Sequence, residues 1–390
     1  MGPSDETGGE LEGDALDARA DWRARYLRRR RLRQVGLASL GGLLLLLMLA
    51  QSCSAWRGSP DSGLSLSSDR DGGAARERAG KPEKPFAAIP PPEGSKPLRD
   101  QASIADRAPR YGGDPGTTEL PAGRALVRDA EDPSDGPLKD NRLVAFYGTP
   151  LSGYMGILGE LPPEQMMQKL KRQTRAYSAA DPERPAVPTI ELIASVAQRT
   201  PGPEGLYVQP TPEEEIRRYS RLARENDALL LLDVQLGRDD LMNEVRRLEP
   251  FLEQPHVHLA IDTEYAVEAG QVPGVDLGSV AGADIQRAVR YMHRLVEREN
   301  VPDKLVLVHQ FETGIVYGKR DIEPTENVQV ALNADGFGGA AAKLSKYDIL
   351  VRQQPIQYGG FKLFYRQDHP VLSPEEVLQL EPAPAVVNYQ

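Results

Sequence analysis

The residues best suited to chemistry lie in Val257-His258-Leu259-Ala260-Ile261-Asp262-Thr263-Glu264-Tyr265. The stretch reads as a buried strand ending in two carboxylates. Side chains alternate along a strand, so His258, Ala260, Asp262 and Glu264 share one face, while Val257, Leu259 and Ile261 share the other. At the strand rise per residue the two acids sit about 7 Å apart. Neighbouring carboxylates do not both ionise freely. One of them is pushed toward a higher pKa, as a proton donor working near neutral pH requires. The bland alternative is an ion pair with a loop arginine or lysine.

Further polar residues stand at the C-terminal ends of other apolar runs. These are Tyr147 after Leu143-Val144-Ala145-Phe146, Glu191 within the run from Val187 to Ile193, and Asp233 and Gln235 after Leu229 to Leu232. His309 closes Leu305 to Val308, Asn333 and Asp335 follow Val328 to Leu332, and Tyr365 closes Phe361 to Phe364. Any one of them could simply cap a following helix; their convergence suggests a substrate-binding ring around the catalytic candidates Glu264 and Asp262. His309 reads equally as a partner of the acids or as a satisfied core histidine.

These runs must be positioned by a sheet, and the segments between them read as helices. Thr211-Pro212-Glu213-Glu214-Glu215 and Ser373-Pro374-Glu375-Glu376 carry helix-start signals. Ile285, Val289, Met292 and Val296 form one stripe after Asp284. Leu161 to Leu170 and Asp240 to Leu252 complete the helices. Alternating strands and helices call for a parallel sheet covered by helices. Seven strands are clear and Ala385-Val386-Val387-Asn388-Tyr389 is a candidate eighth. The expected fold class is therefore α/β, a (β/α)8 TIM-type barrel, with an open doubly wound sheet as the alternative.

The chain has 390 residues and a net charge of -10. An acidic chain with no basic face does not suit nucleic-acid binding. The one basic run, Arg28 to Arg33, precedes an uncharged apolar stretch from Val35 to Ala50, on the border between a signal sequence and a membrane span. Arginines on its N-terminal side predict a cytoplasmic N-terminus and an exported remainder. Cys53, the only cysteine, follows at once. Ala50-Gln51-Ser52-Cys53 resembles a bacterial lipobox, which makes Cys53 a lipidation candidate; an uncleaved signal-anchor is preferred because the head before it is long and acidic. The organisation is then a cytoplasmic head over residues 1–34, an anchor or lipoprotein signal over 35–53, a disordered linker over 54–140 and a barrel over 141–390. Within the linker, Phe86-Ala87-Ala88-Ile89 looks too isolated to form a core, while Arg124-Ala125-Leu126-Val127 is a candidate to dock.

Ile261-Asp262-Thr263-Glu264-Tyr265 resembles the end of the D-x-x-D-x-D-x-E signature of chitinase-like glycoside hydrolases. That resemblance implies Glu264 as general acid and Asp262 as the residue orienting the substrate's acetamido group. Val257 and Ala260 stand where the signature has its earlier acids, and Thr263 where tryptophan is common. The region from Asn141 onward is similar to secreted bacterial barrels of glycoside-hydrolase type. It is also similar to exported bacterial proteins of unassigned activity that share the wording Phe146-Tyr147-Gly148 and Met155-Gly156-Ile157-Leu158-Gly159-Glu160. The expectation is a membrane-tethered, extracytoplasmic protein of the cell envelope that acts on polysaccharide by carboxylate chemistry; a catalytically inactive barrel binding glycan or protein is the alternative.

Other motifs carry less. His256-Val257-His258 has a metallohydrolase spacing but lies at the start of its strand, the structural end of a barrel. Gly336-Phe337-Gly338-Gly339 lacks the paired strand and ribose-binding acid of a dinucleotide site. Zincin, P-loop and nucleophile-elbow motifs are missing. No metal and no cofactor are expected.

Overall fold

The computed structural model describes residues 82–96, 132–354 and 357–390. Residues 1–53, with the predicted head, apolar segment and Cys53, lie outside the described residues, as does Arg124-Ala125-Leu126-Val127. Among the described residues no helix is long and apolar enough to cross a membrane.

Eight parallel strands make the barrel: β1 (Arg142–Gly148), β2 (Ala186–Ala197), β3 (Leu229–Gln235), β4 (Val257–Asp262), β5 (Lys304–Gln310), β6 (Val328–Ala334), β7 (Tyr358–Leu363) and β8 (Val386–Tyr389). Each strand pairs in parallel with the next, and β8 pairs with both β7 and β1, so the sheet closes. The expected eighth strand exists, and the open-sheet alternative is set aside. The helices α1 (Pro163–Ala180), α2 (Glu213–Arg224), α3 (Leu241–Leu252), α4 (Gly282–Glu299), α5 (Ala340–Tyr347) and α6 (Pro374–Val377) follow β1, β2, β3, β4, β6 and β7. A short strand, Val208–Pro210, adds antiparallel to β2.

Alternation divides the core into two layers. Val257, Leu259 and Ile261 of β4 pack outward with the helix stripe Ile285, Ala288, Val289 and Met292. Ala260 packs inward with Leu143, Val187, Leu229, Leu231, Leu305, Leu307 and Ala331. Both assignments follow from the period of two. The apolar inward layer fills the lower barrel and leaves the polar positions above it.

Helix starts depart from expectation in two places. Helix α4 begins at Gly282, with Asp284 inside its first turn. Thr211 does not cap α2; its hydroxyl donates to the Ile193 carbonyl at 2.7 Å, tying the helix approach to β2, and Pro212 takes the cap position. Asp240 caps α3 by accepting from the Met242 amide at 2.8 Å, and Ser373 and Glu376 form a reciprocal capping box on α6.

The N-terminal end of the barrel is plugged by chain that precedes β1. Phe86 and Ala88 pack against the inward layer, Leu138 is fully buried in it, and the Ile89 amide donates to the Ala186 carbonyl at 2.8 Å. Phe86-Ala87-Ala88-Ile89 therefore docks on the barrel, although its pattern in the sequence looks too isolated to form a core. Its partner surface is assembled from strand starts far away in sequence. Asp132 completes the plug, accepting from Gln329 Nε2 at 2.6 Å and Tyr358 Oη at 2.7 Å. Phe86→Ala is expected to cost about 1–2 kcal/mol, below the range for full burial because the ring is only half-buried. Thermal unfolding of the full chain would show a Tm lower by several degrees; an unchanged Tm would mean that the plug adds nothing to stability.

Candidate functional site

Inward polar residues converge above the apolar layer; most stand at or within two positions of a strand's C-terminal end, while Glu191 lies in the middle of the long β2. Register fixes the neighbours: Tyr147 lies beside Glu191, and Gln235, Asp262, His309 and Asn333 follow one another across β3, β4, β5 and β6. Lys362 is in register with Asn388. Glu191, Asp233, His309, Asn333 and Asn388 are at most 1% exposed, and Asp262, Tyr147 and Lys362 at most 3%, so every charge here must be answered inside the protein.

Two networks answer them. In the first, His309 bridges two acids: Nε2 donates to Glu191 Oε1 at 2.7 Å and Nδ1 to Asp335 Oδ2 at 3.0 Å. Burial opposes a charged imidazole, but Glu191 and Asp335 outweigh it and raise His309 well above its ordinary value. Lys362 Nζ donates to Asp335 Oδ2 at 2.9 Å and lies 3.5 Å above the Tyr147 ring. Burial would raise the Asp335 carboxyl, yet Lys362 and His309 hold it well below the usual carboxylate range. Asn388 donates to Glu191 Oε2, and the Gly336 amide donates to Asp335 Oδ1 at 2.5 Å. The glycine-rich turn after β6 thus closes on Asp335, with Gly336 at a φ of 106° that favours glycine.

In the second network the Tyr147 hydroxyl lies 3.2 Å from Asp233 Oδ2 and 3.3 Å from Asp262 Oδ2, with Gln235 Nε2 donating to the tyrosine oxygen at 3.1 Å. Asp233 is pushed up to about 7 by burial, with Glu191 adding to it and His309 opposing. Asp262 is pushed up to about 7 by burial and by Asp233. Both shifts stabilise the protonated fold: the contribution is full below the ordinary carboxylate pKa near 3.8 and is lost as pH rises through about 7. Asp262→Asn is therefore expected to match wild type near pH 4 and to be more stable by roughly 2–4 kcal/mol at pH 8. Melting curves at the two pH values check this; a variant that melts lower than wild type at pH 8 would refute the assignment.

Glu264 sits differently from the expectation. Strand β4 ends at Asp262, and Thr263–Tyr265 turn into a 3-10 helix, so Glu264 does not continue the strand's alternation. The turn is anchored by the Thr263 hydroxyl, which donates to the His309 carbonyl at 2.7 Å, and by the Gly278 amide, which donates to the Glu264 carbonyl at 2.7 Å. Turning out of the strand leaves the Glu264 side chain only partly buried, above the sealed acids. Burial and then Asp262 push it up to about 8, while a hydrogen bond from Tyr265 pulls the other way.

The structure thus brings together Tyr147, Glu191, Asp233, Gln235, Asp262, His309, Asn333 and Asp335, and resolves His309 as a partner of the acids. Tyr365 is not among them. It lies beyond the end of β7, stacks on Tyr389 with ring centroids 4.9 Å apart, donates to Gln173 of α1 at 3.0 Å and carries Lys169 over its ring at 4.1 Å. Lys362 and Asn388 are the members that sequence reasoning missed. A lysine inside Phe361-Lys362-Leu363 and an asparagine inside Val387-Asn388-Tyr389 were the available signals, since each interrupts an apolar run at an inward position. His256 and His258 hold the opposite end: His256 Nε2 lies 3.1 Å from Ser220 Oγ, and His258 Nδ1 accepts from the Leu305 amide at 3.1 Å. Burial lowers both imidazoles, as suits neutral structural histidines.

Neither the family models nor the curated proteins compared with the chain give a match.

Proposed function

We propose that the barrel is a glycoside-hydrolase-like enzyme, tethered to the membrane on its extracytoplasmic side and acting on polysaccharide of the envelope or the surroundings. The observation that carries this reading is Glu264: a partly exposed carboxyl above the sealed acids, holding its proton to about 8 through burial and the charge of Asp262. A carboxylic acid that stays protonated at neutral pH is the group needed to protonate a leaving glycosidic oxygen. Asp262 is the second carboxyl. It is sealed beneath Glu264, and its charge helps to keep the proton on Glu264. Exposed apolar side chains on loops leaving the strand ends add support. Tyr154 is 96% exposed after β1, Tyr317 is 40% exposed after β5, and Phe337 is 60% exposed after β6. Aromatic rings on such loops offer flat apolar faces to the C–H faces of a sugar.

The near-complete burial of Glu191, Asp233 and Asp262 favours a second reading, a barrel that binds glycan without cleaving it. An assay of the full chain against a panel of envelope and environmental glycans separates the two. Release of new reducing ends by wild type, lost in Glu264→Gln, supports the enzyme. Saturable binding without product from either protein moves the conclusion to the binding module.

A further inference from the structure

We propose that Glu191, Asp233 and His309 form a site for one divalent cation of the Mn2+ or Zn2+ kind, deep in the barrel. One ligand atom from each of the three lies within 4.8 Å of the others. One polar atom of each residue is already held from outside the trio. Asn388 donates to Glu191 Oε2, Asp335 accepts from His309 Nδ1 at 3.0 Å, and the Tyr147 hydroxyl lies 3.2 Å from Asp233 Oδ2. What remains is Glu191 Oε1, His309 Nε2 and Asp233 Oδ1. The last is buried and has no hydrogen-bond partner. An unpaired carboxylate oxygen in a sealed interior costs free energy unless something positive faces it. A histidine whose far nitrogen is fixed by a carboxylate, leaving Nε2 to the centre, is the arrangement that orients imidazole toward a metal.

The hydrogen bonding within the trio argues the same way. Glu191 and His309 already face one another across a short hydrogen bond, and Asp233 stands beside them with one oxygen unpaired. In the present arrangement the Nε2 proton bridges to Glu191 at 2.7 Å. A cation would replace that proton, with bonds of about 2.0–2.2 Å, as Glu191 and His309 part and Asp233 turns inward. One imidazole with two carboxylates suits Mn2+ or Zn2+ better than Mg2+ or Ca2+, which prefer oxygen alone. The site does not rest on the glycoside reading, and either can fail alone.

The test uses the full chain stripped with a chelator and then titrated with Mn2+, read by loss of the free-ion paramagnetic resonance signal, and with Zn2+, read by calorimetry. One ion per chain is expected, with proton release that changes the measured heat between buffers of different ionisation enthalpy. Asp233→Asn, which keeps the side-chain shape, and His309→Gln should each weaken binding by at least about tenfold. Tyr365→Phe, outside the cluster, should bind as wild type. If His309→Gln melts early, Asp233→Asn alone decides. Absence of saturable binding at millimolar metal, or equal binding by wild type and Asp233→Asn, would overturn the site.

Discussion

Lys362→Met should lower the stability of the fold by about 3–5 kcal/mol, the cost of leaving buried charge without its partner. The ammonium donates to Asp335 at 2.9 Å, and both side chains are almost completely buried. Methionine fills nearly the same volume, so the loss is electrostatic rather than a cavity. The domain should melt roughly 10 °C or more below wild type near pH 8. The deficit should shrink toward pH 5, because Asp233 and Asp262, both pushed up to about 7, take up protons on the way and reduce the negative charge left behind. Lys362→Met combined with Asp335→Asn removes both members of the pair and should recover most of the loss. A deficit of the same size at both pH values, or none in the double variant's favour, would show that Lys362 is merely packing.

The second large effect concerns Glu264. On the proposed chemistry, Glu264→Gln removes the proton that the leaving oxygen needs, and turnover of natural glycans should fall by about 100- to 10,000-fold. Glycan affinity should survive, since glutamine keeps the shape. An aryl glycoside with an activated leaving group needs little protonation, so its cleavage should suffer far less. In wild type the rate should decline as pH rises through about 8, where Glu264 loses its proton. A variant that hydrolyses both substrate types like wild type would remove Glu264 from the mechanism.

Much of this site was legible in the sequence because strand alternation is a local rule. Tyr147, Glu191, Asp233, Gln235, Asp262, His309 and Asn333 stand at inward positions for the same reason that Val257, Leu259 and Ile261 face the helices. The apolar run Phe361 to Tyr365 points to a strand exit at Tyr365, but β7 spans Tyr358–Leu363, which puts Lys362 at the inward position near its end. The glycines Gly359 and Gly360 lie inside that strand. Gly360 is needed there, for a Cβ at that position would fall 2.3 Å from Asn333 Oδ1. No pattern in β7 alone shows that requirement, because it comes from the neighbouring strand.

What the sequence by itself determined is the alternation of strands and helices and the inward and outward faces of the strands. The tertiary structure alone decided who meets whom. His309 reaches Glu191 across 118 positions of sequence, and Asn388 reaches the same carboxylate across 197. Such pairings depend on barrel closure and register, which sum the geometry of all eight strands. The tertiary structure also decided that β4 stops at Asp262, where Thr263 bonds to the His309 carbonyl and turns Glu264 out of the strand. One acid is thereby sealed among buried charges and the other is left partly open above them, a division that spacing along a strand does not encode.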